Sequence, residues 1–329
     1  MARIVLGMAV PHSGMQGKAP DTWLEDGERD RKNNALWFRN KSWTYAELAA
    51  ARAHEGLSKF LTLEERRARG KRCLQAIDTL RRVYQEHQPD VAVILGKDQK
   101  EIFIDTSPSI AIFMGETIEN GPPQRSVYAP DHPVTHPGHP ELALHLITAF
   151  QQEGFDMTEI LKWPLNVWMK PPGPVVPHAY GFIYRQIMQD RAPPNVPIFM
   201  NTFYPPNQPT MRRSLQFGKV LLDAVKSWQS DKTVAIIASG GLSHFVCDEQ
   251  LDQTFLKYFK SYDFESLANI DNNTYQSGTS EVKLYVPVMV AASQLGLEMN
   301  VVDYVPVYRT EAGTGEGFGY IYWSAPKRQ

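Results

Sequence analysis

The chain has 329 residues, two cysteines and nearly balanced charge, with 34 Lys and Arg against 36 Asp and Glu. No basic surplus or cluster is present to neutralise a phosphate backbone, which excludes nucleic acid as a partner, and two cysteines without a CxxC pair exclude a disulfide framework or a thiolate zinc site. A hydrophobic fraction of 43% is enough for the core of one large domain, no apolar run reaches membrane-spanning length, and a reducing cytoplasm is the expected location.

The apolar run within residues 1–10 predicts a first core strand, followed at once by Pro11, His12 and Ser13. Residues 15 to about 45 are polar and charged from Asp26 to Lys32, yet they carry Trp23, Trp37, Phe38 and Trp43. So many aromatics predict an ordered surface excursion rather than disorder. Tyr45 to Phe60 reads as a helix bearing His54. Thr62-x-x-Glu65 is a capping-box signature for a long helix in which Cys73, Ile77, Leu80 and Tyr84 recur at helical spacing, with Pro89 ending it. Residues 15–88 are thus expected to form a mostly helical insertion.

Val91 to Leu95 predicts a second buried strand, emptying into Gly96-Lys97-Asp98-Gln99-Lys100-Glu101, and Ile110 to Met114 a third. The helix between the first two strands favours their parallel pairing. Residues 119–140 read as a loop with His132, His136 and His139. Each of these precedes a proline, which favours extended backbone that does not bring the three together, so a metal cluster is not expected there. Helices follow over 141–153, 211–228 and 250–259, with a strand at 197–200. A further helix starts near Ser277 and contains Pro287. Asn300 to Tyr308 is the last expected strand. The glycine-rich tail after it, Gly313 to Gly317, lacks both a following helix and Gly-Lys-Ser/Thr, so it is not a phosphate loop.

The run Thr233 to Ile237 empties into Ala238-Ser239-Gly240-Gly241-Leu242-Ser243-His244. A buried strand ending in a glycine turn and a histidine fixes an imidazole at the carboxyl edge of a sheet, where open α/β folds place ligands. His12 repeats that arrangement.

Taken in order, these stretches resemble the class III (type II) extradiol ring-cleavage dioxygenases, the family of protocatechuate 4,5-dioxygenase and of the gallate and 3-O-methylgallate dioxygenases. The matching stretches are His12, Val91 to Phe103, Gly138 to His145, Gly154 to Thr158, Gly240 to His244 and Ser277 to Tyr285. The resemblance implies an α/β fold, a single domain with a central mixed β-sheet flanked by helices. It also implies a mononuclear Fe(II) site, or Mn(II) in its place, with two imidazoles and one carboxylate on one face of the metal. The remaining positions are then open to a catecholate and O₂. Position by position, His12 corresponds to the first ligand and Glu281 to the carboxylate. Glu281 is preferred over Lys283 in the other register, because an ammonium beside a divalent cation is repelled.

Asp98-Gln99 stands where the family has Asp-His. Gln99 itself, or His54 from the insertion, is the candidate replacement ligand. His244 takes the acid/base role, while Ser13, Ser243 and Tyr285 fall at substrate positions. His178 binds a phenolate or carboxylate, or else is a hydrogen-bonded core histidine. Arg212 and Arg213 hold a substrate carboxylate or are simply solvated. The resemblance further implies a small aromatic substrate with O₂ and a homodimer, with a small accessory subunit as a further partner. Two readings follow: iron-dependent extradiol cleavage of a catecholic or gallate-type acid, or a metal-free homologue in which Lys283 or a neighbour replaces the metal's charge. That homologue would be a partner subunit or an enzyme of non-oxidative chemistry.

Overall fold

The computed structural model describes residues 1–121 and 130–326. In chain order its strands are β1 (Arg3–Val10), the ribbon β2 (Leu36–Phe38) and β3 (Lys41–Trp43), then β4 (Val91–Gly96) and β5 (Ile110–Phe113). The ribbon β6 (Thr117–Asn120) and β7 (Val134–Pro137) follows, then β8 (Thr158–Ile160), β9 (Asn195–Met200), β10 (Thr233–Ser239), β11 (His244–Val246), β12 (Glu298–Tyr308) and β13 (Thr314–Ser324). Nine of these form one mixed sheet in the order β11-β13-β1-β10-β4-β9-β5-β8, with β12 also paired to β13.

Side-chain alternation along the strands supplies two cores. Val91, Val93 and Leu95 face the helices Pro140–Gln152, Met211–Ser227 and Val282–Leu295. Ala92 and Ile94 face the helix Leu63–His87, through Cys73, Ile77, Leu80 and Tyr84, together with Tyr180 and Tyr184. The long helix starts as its sequence signature predicts, Thr62 Oγ1 accepting the Glu65 amide at 3.3 Å. It ends at Gln88, whose φ of 40° breaks the helical backbone one residue before Pro89.

The strands β1 and β4 run in the same direction, but β10 lies between them and pairs in parallel with both. This corrects the expectation that the first two strands are direct neighbours. One consequence organises the molecule: three adjacent parallel strands end on the same edge. They deliver His12, Lys97 and the loop Gly240–His244 to one place.

Two other expectations change. Part of the 119–140 stretch forms the ribbon β6–β7, while residues 122–129 lie outside the described residues. The glycine-rich tail is the start of β13, which sits inside the sheet between β1 and β11. The three loop histidines do separate work. His136 stacks on Tyr184 at 4.2 Å, His139 Nδ1 accepts the Leu142 amide at a helix start, and His132 is exposed.

The insertion packs through its own small core, Leu36, Phe38 and Leu48 against Val246 and Ala312. Arg52 clamps it to the main body. Only 4% exposed, its guanidinium donates to the Cys247 and Ala312 carbonyls at 3.0 and 3.3 Å and pairs with Glu55. Arg52→Met would leave both carbonyls short of a donor. It is expected to cost about 2–4 kcal/mol in urea denaturation without a change in the slope, and a loss below about 0.5 kcal/mol would show that Arg52 is not the clamp.

Candidate active site

The sheet edge opens into a cavity of about 330 Å³ lined by His12, Ser13, Lys97, Gln99, His178, His244, Glu281 and Glu316. Trp168 and Phe245 line it as well, each partly exposed, and Met15, Lys18, Asp26 and Arg29 come from the insertion and the segment leading to it.

Glu281 is its centre. The side chain is 1% exposed, and Oε2 accepts the Gly241 amide at 2.6 Å. Oε1 lies 2.7 Å from Lys97 Nζ, 3.2 Å from His244 Nε2 and 3.8 Å from His12 Nε2. Burial alone would raise this carboxyl's pKa. Lys97, His244 and His12 outweigh burial and hold it well below the usual range, so Glu281 is ionised.

The tautomers of the two facing imidazoles follow from their partners. Ser239 Oγ gives its only proton to the Ala179 carbonyl at 2.7 Å, so His12 Nδ1, 3.0 Å away, must be the donor to that oxygen. The His12 Nε2 lone pair then faces the cavity. Burial keeps His12 neutral, lowering its pKa well below normal against the opposing pull of Glu281. His244 Nδ1 likewise donates, to the Leu242 carbonyl at 2.9 Å, which turns Nε2 toward Glu281. Burial lowers the pKa of His244 too, but the Glu281 and Glu316 carboxylates raise it above its ordinary value. It is therefore the imidazole in this site best able to hold a proton.

The loop after β4 is built on Asp98, whose carboxylate accepts the amides of Lys100, Glu101, Ile102 and Phe103 at 3.0–3.2 Å. It carries Lys97, Gln99 and Glu101. Glu101 accepts the His178 amide at 2.8 Å and meets His178 Nδ1 at 2.6 Å. Burial pushes Glu101 up to about 8 and His178 down to about 3, so at neutral pH the shared proton belongs to the carboxyl.

Of the residues singled out from the sequence, His12, Ser13, Gln99, His178, His244 and Glu281 meet in this cavity. The others do not. His54 is exposed and its Nδ1 bonds the Ala51 carbonyl at 3.0 Å, which corrects its candidacy as a ligand. Ser243 turns away from the cavity. Its hydroxyl donates to Asp252 at 2.7 Å and accepts the Asp248 amide. Tyr285 is buried behind the loop and donates to the Gly240 carbonyl. Lys283 lies over the Tyr275 ring, outside the cavity, so the register that brings Glu281 to the centre is the one observed. Arg212 and Arg213 bond Glu265 and the Gly154 carbonyl respectively. Lys97, Glu101 and Glu316 are the functional candidates that sequence reasoning missed. Lys97 had a signal, being a cation placed directly after a wholly apolar strand.

These residues do not fit the ferrous centre that the resemblance implies. Such a centre needs three donor groups converging at about 2.0–2.2 Å from one point. Gln99 stands at the position of the family's second histidine; His178 also lines the cavity, its ring centroid 4.5 Å from that of His12 and its Nδ1 engaged by Glu101, but the carboxylate oxygen facing the cavity already has an ammonium beside it. A divalent ion within about 4 Å of that ammonium would be opposed by about 8 kcal/mol at an effective dielectric of about 20. Among the described residues no group of three or more His, Cys, Asp and Glu is arranged to hold a metal ion.

The buried acids set a pH dependence. Glu101 loses its proton near 4.5 when unfolded but only at about 8 when folded, so the native state binds the extra proton and stability falls as pH rises between those values. His178 acts in the opposite sense between about 3 and 6.5. The two cancel from about pH 4.5 up to about 6.5, and the fall due to Glu101 stands alone between about 6.5 and 8; Asp252 and Glu316, each pushed up to about 7 by burial, add a fall of the same sign that is complete by about pH 7. Glu101→Gln should remove about 2 kcal/mol of that decline, read as a flatter plot of melting free energy against pH; an unchanged slope would refute the assignment.

Residues 62–319 match the family model described as the catalytic LigB subunit of aromatic ring-opening dioxygenase. Among solved structures, the uncharacterized protein JW3007 from Escherichia coli K12 is similar over 75% of this chain and 91% of its own, with 13% identity and a TM-score of 0.44. The family match takes in β4, the Asp98 loop, His178, the Gly240–His244 loop, Glu281 and Glu316. The chain belongs to the family of the catalytic LigB subunit of aromatic ring-opening dioxygenases.

Proposed function

We propose that this cavity takes up a catecholic or gallate-type aromatic acid and that His244 is its acid/base group, removing a ring hydroxyl proton at the start of the family's ring-opening chemistry. The observation that carries this is the orientation of the His244 ring, whose Nδ1 is held by the Leu242 carbonyl while Nε2 faces Glu281 Oε1 at 3.2 Å. A proton taken by Nε2 is stabilised there by the ionised Glu281, and the phenolate left behind faces Lys97. Lys18, Arg29, Lys97 and Arg309 line the cavity against Asp26, Glu281 and Glu316, one cation more than the acids, which suits a substrate carboxylate. Trp168 offers its ring at the cavity wall, stacked 5.9 Å from His178. Extradiol cleavage by O₂ at an Fe(II) or Mn(II) centre is the reaction the family resemblance supports. The residues lining the cavity do not fit such a centre, and the proton transfer to His244 needs none. Homodimer formation, a small accessory subunit and a cytoplasmic location rest on resemblance and composition.

A second reading is favoured by Lys97: a homologue that binds the same aromatic acids without consuming oxygen, as a partner subunit or in a non-oxidative reaction. One experiment separates the two. The protein is mixed anaerobically with 3,4-dihydroxybenzoate or gallate, with and without added Fe(II), and oxygen is then admitted. A red-shifted phenolate band at neutral pH followed by oxygen uptake supports ring opening; the band without uptake supports the second reading; neither would sink both.

In His244→Ala, turnover should fall by roughly 10²–10⁴-fold. Gly278→Ala is the sharper probe, because a Cβ there would lie 2.0 Å from His244 Cδ2 and must displace the ring without removing any ionisable group. Both variants should lose the phenolate band at neutral pH, with the fold intact by circular dichroism.

A further inference from the structure

We infer that Lys97 is a built-in cation of the site: its ammonium stands in place of a metal ion, neutralising Glu281 and receiving the anionic oxygen of the bound ligand. The second half of this rests on the proposal that a hydroxylated aromatic acid enters the cavity.

Three observations converge on it. First, Lys97 follows directly on β4, the strand adjacent to β10, so the backbone itself delivers the side chain to the edge where His12 and His244 arrive. Second, the side chain is only 1% exposed and lies 2.7 Å from Glu281 Oε1, but the contact angle is not that of a hydrogen bond. Its three N–H donors are left without a hydrogen-bond partner among the described residues, as is Glu281 Oε1. The Phe203 ring, its centroid 5.4 Å away, is the ammonium's other neighbour and accepts no hydrogen bond of the ordinary kind, so the N–H donors are open to an acceptor that enters the cavity, preferably an anionic oxygen.

Third, among the described residues no other lysine or arginine pairs with Glu281: Lys18 and Arg29 are held by Asp26 and Arg309 by Asp30. His12 and His178 are neutral, Glu101 keeps its proton at neutral pH, and Lys283 is turned to Tyr275. Without Lys97 the buried Glu281 carboxylate would have only His244 to compensate it, a strongly unfavourable state for a desolvated charge. With Lys97 present, a divalent ion on the same oxygen is repelled. The site is thus built for one cation, and the chain supplies it covalently. A phenol that passes its proton to His244 Nε2 leaves its oxygen anion beside an ammonium with unfilled donors, so no metal is needed to hold it.

The test is titration of Mn(II) alone into the purified full-length protein by calorimetry, scored as binding that Glu281→Gln abolishes. The unvaried protein is expected to show none. Lys97→Met/Gln99→His, which removes the ammonium and restores an imidazole, should gain one Glu281-dependent site, with affinity at least roughly 10–100-fold above the unvaried protein. Glu281-dependent Mn(II) binding by the unvaried protein would overturn the inference, and this measurement needs no variant at the lysine to fold. Absence of the new site in a double variant with native circular dichroism would also overturn it, since the ammonium would then not be what excludes the metal.

For the ligand, Lys97→Met should weaken 3,4-dihydroxybenzoate at least about tenfold while Lys97→Arg retains most of the affinity. Equal affinity in all three proteins would defeat the ligand half of the inference. Failure of the unvaried protein to bind any aromatic acid would instead defeat the proposed function, leaving the Mn(II) result to stand by itself.

Discussion

The site depends on how one buried carboxylate is compensated. Glu281 lies out of water between an ammonium, a backbone amide and two imidazoles, and each neighbour takes its character from that position. Lys97 is drawn in by it, His244 has its basicity raised by it, and His12 is held neutral near it because burial outweighs its attraction. A desolvated ion pair of this kind adds little net stability, since the cost of removing both charges from water offsets their attraction. Its value lies in arrangement. It fixes where positive charge and basic nitrogen stand before any ligand arrives.

That arrangement is possible because separate parts of the chain hold the loops from behind. Asp98 closes the β4 loop by gathering four amides, and Asp252 does the same for the base. The Asp252 carboxylate binds the Ser243 amide and hydroxyl and the Tyr304 hydroxyl at 2.7–2.8 Å, joining the helix Glu249–Ser261, β12 and the Gly240–His244 loop in one buried knot. Ser243, which the family pattern places at the substrate, is therefore a residue that positions His244 from the rear.

Much of this was legible in the sequence. Apolar runs at residues 4–10, 91–95 and 233–237 marked the three strands whose shared direction makes the site, and the polar residue following each was visible as well. The identity of the neighbours was not, because it depends on β10 entering between β1 and β4 after more than two hundred intervening residues. Glu316 was hidden for the same reason. It faces His244 only through the antiparallel pairing of β11 with β13. The glycines of β13, set aside as a phosphate loop, were not read as the start of a strand; their reason is contact, since a Cβ on Gly317 would lie 2.0 Å from Asp252 Oδ2. Lys97 was overlooked beside the missing histidine at Gln99, although it stands directly against the central carboxylate.

The wall of the cavity built from residues 15–29 is tied to the sheet. Met15 and Trp23 share one core with Leu6, Met8 and Val10 of β1, and Lys18, Asp26 and Arg29 are carried on that same segment, while the small core of Leu36, Phe38 and Leu48 and the Arg52 clamp secure the stretch that follows. Shape and charge on that side are therefore coupled to the strand that delivers His12. Remodelling this wall is a repacking problem before it is a recognition problem, because a bulkier side chain at Met15, or a smaller one in place of Trp23, disturbs the strand that leads to an imidazole of the site.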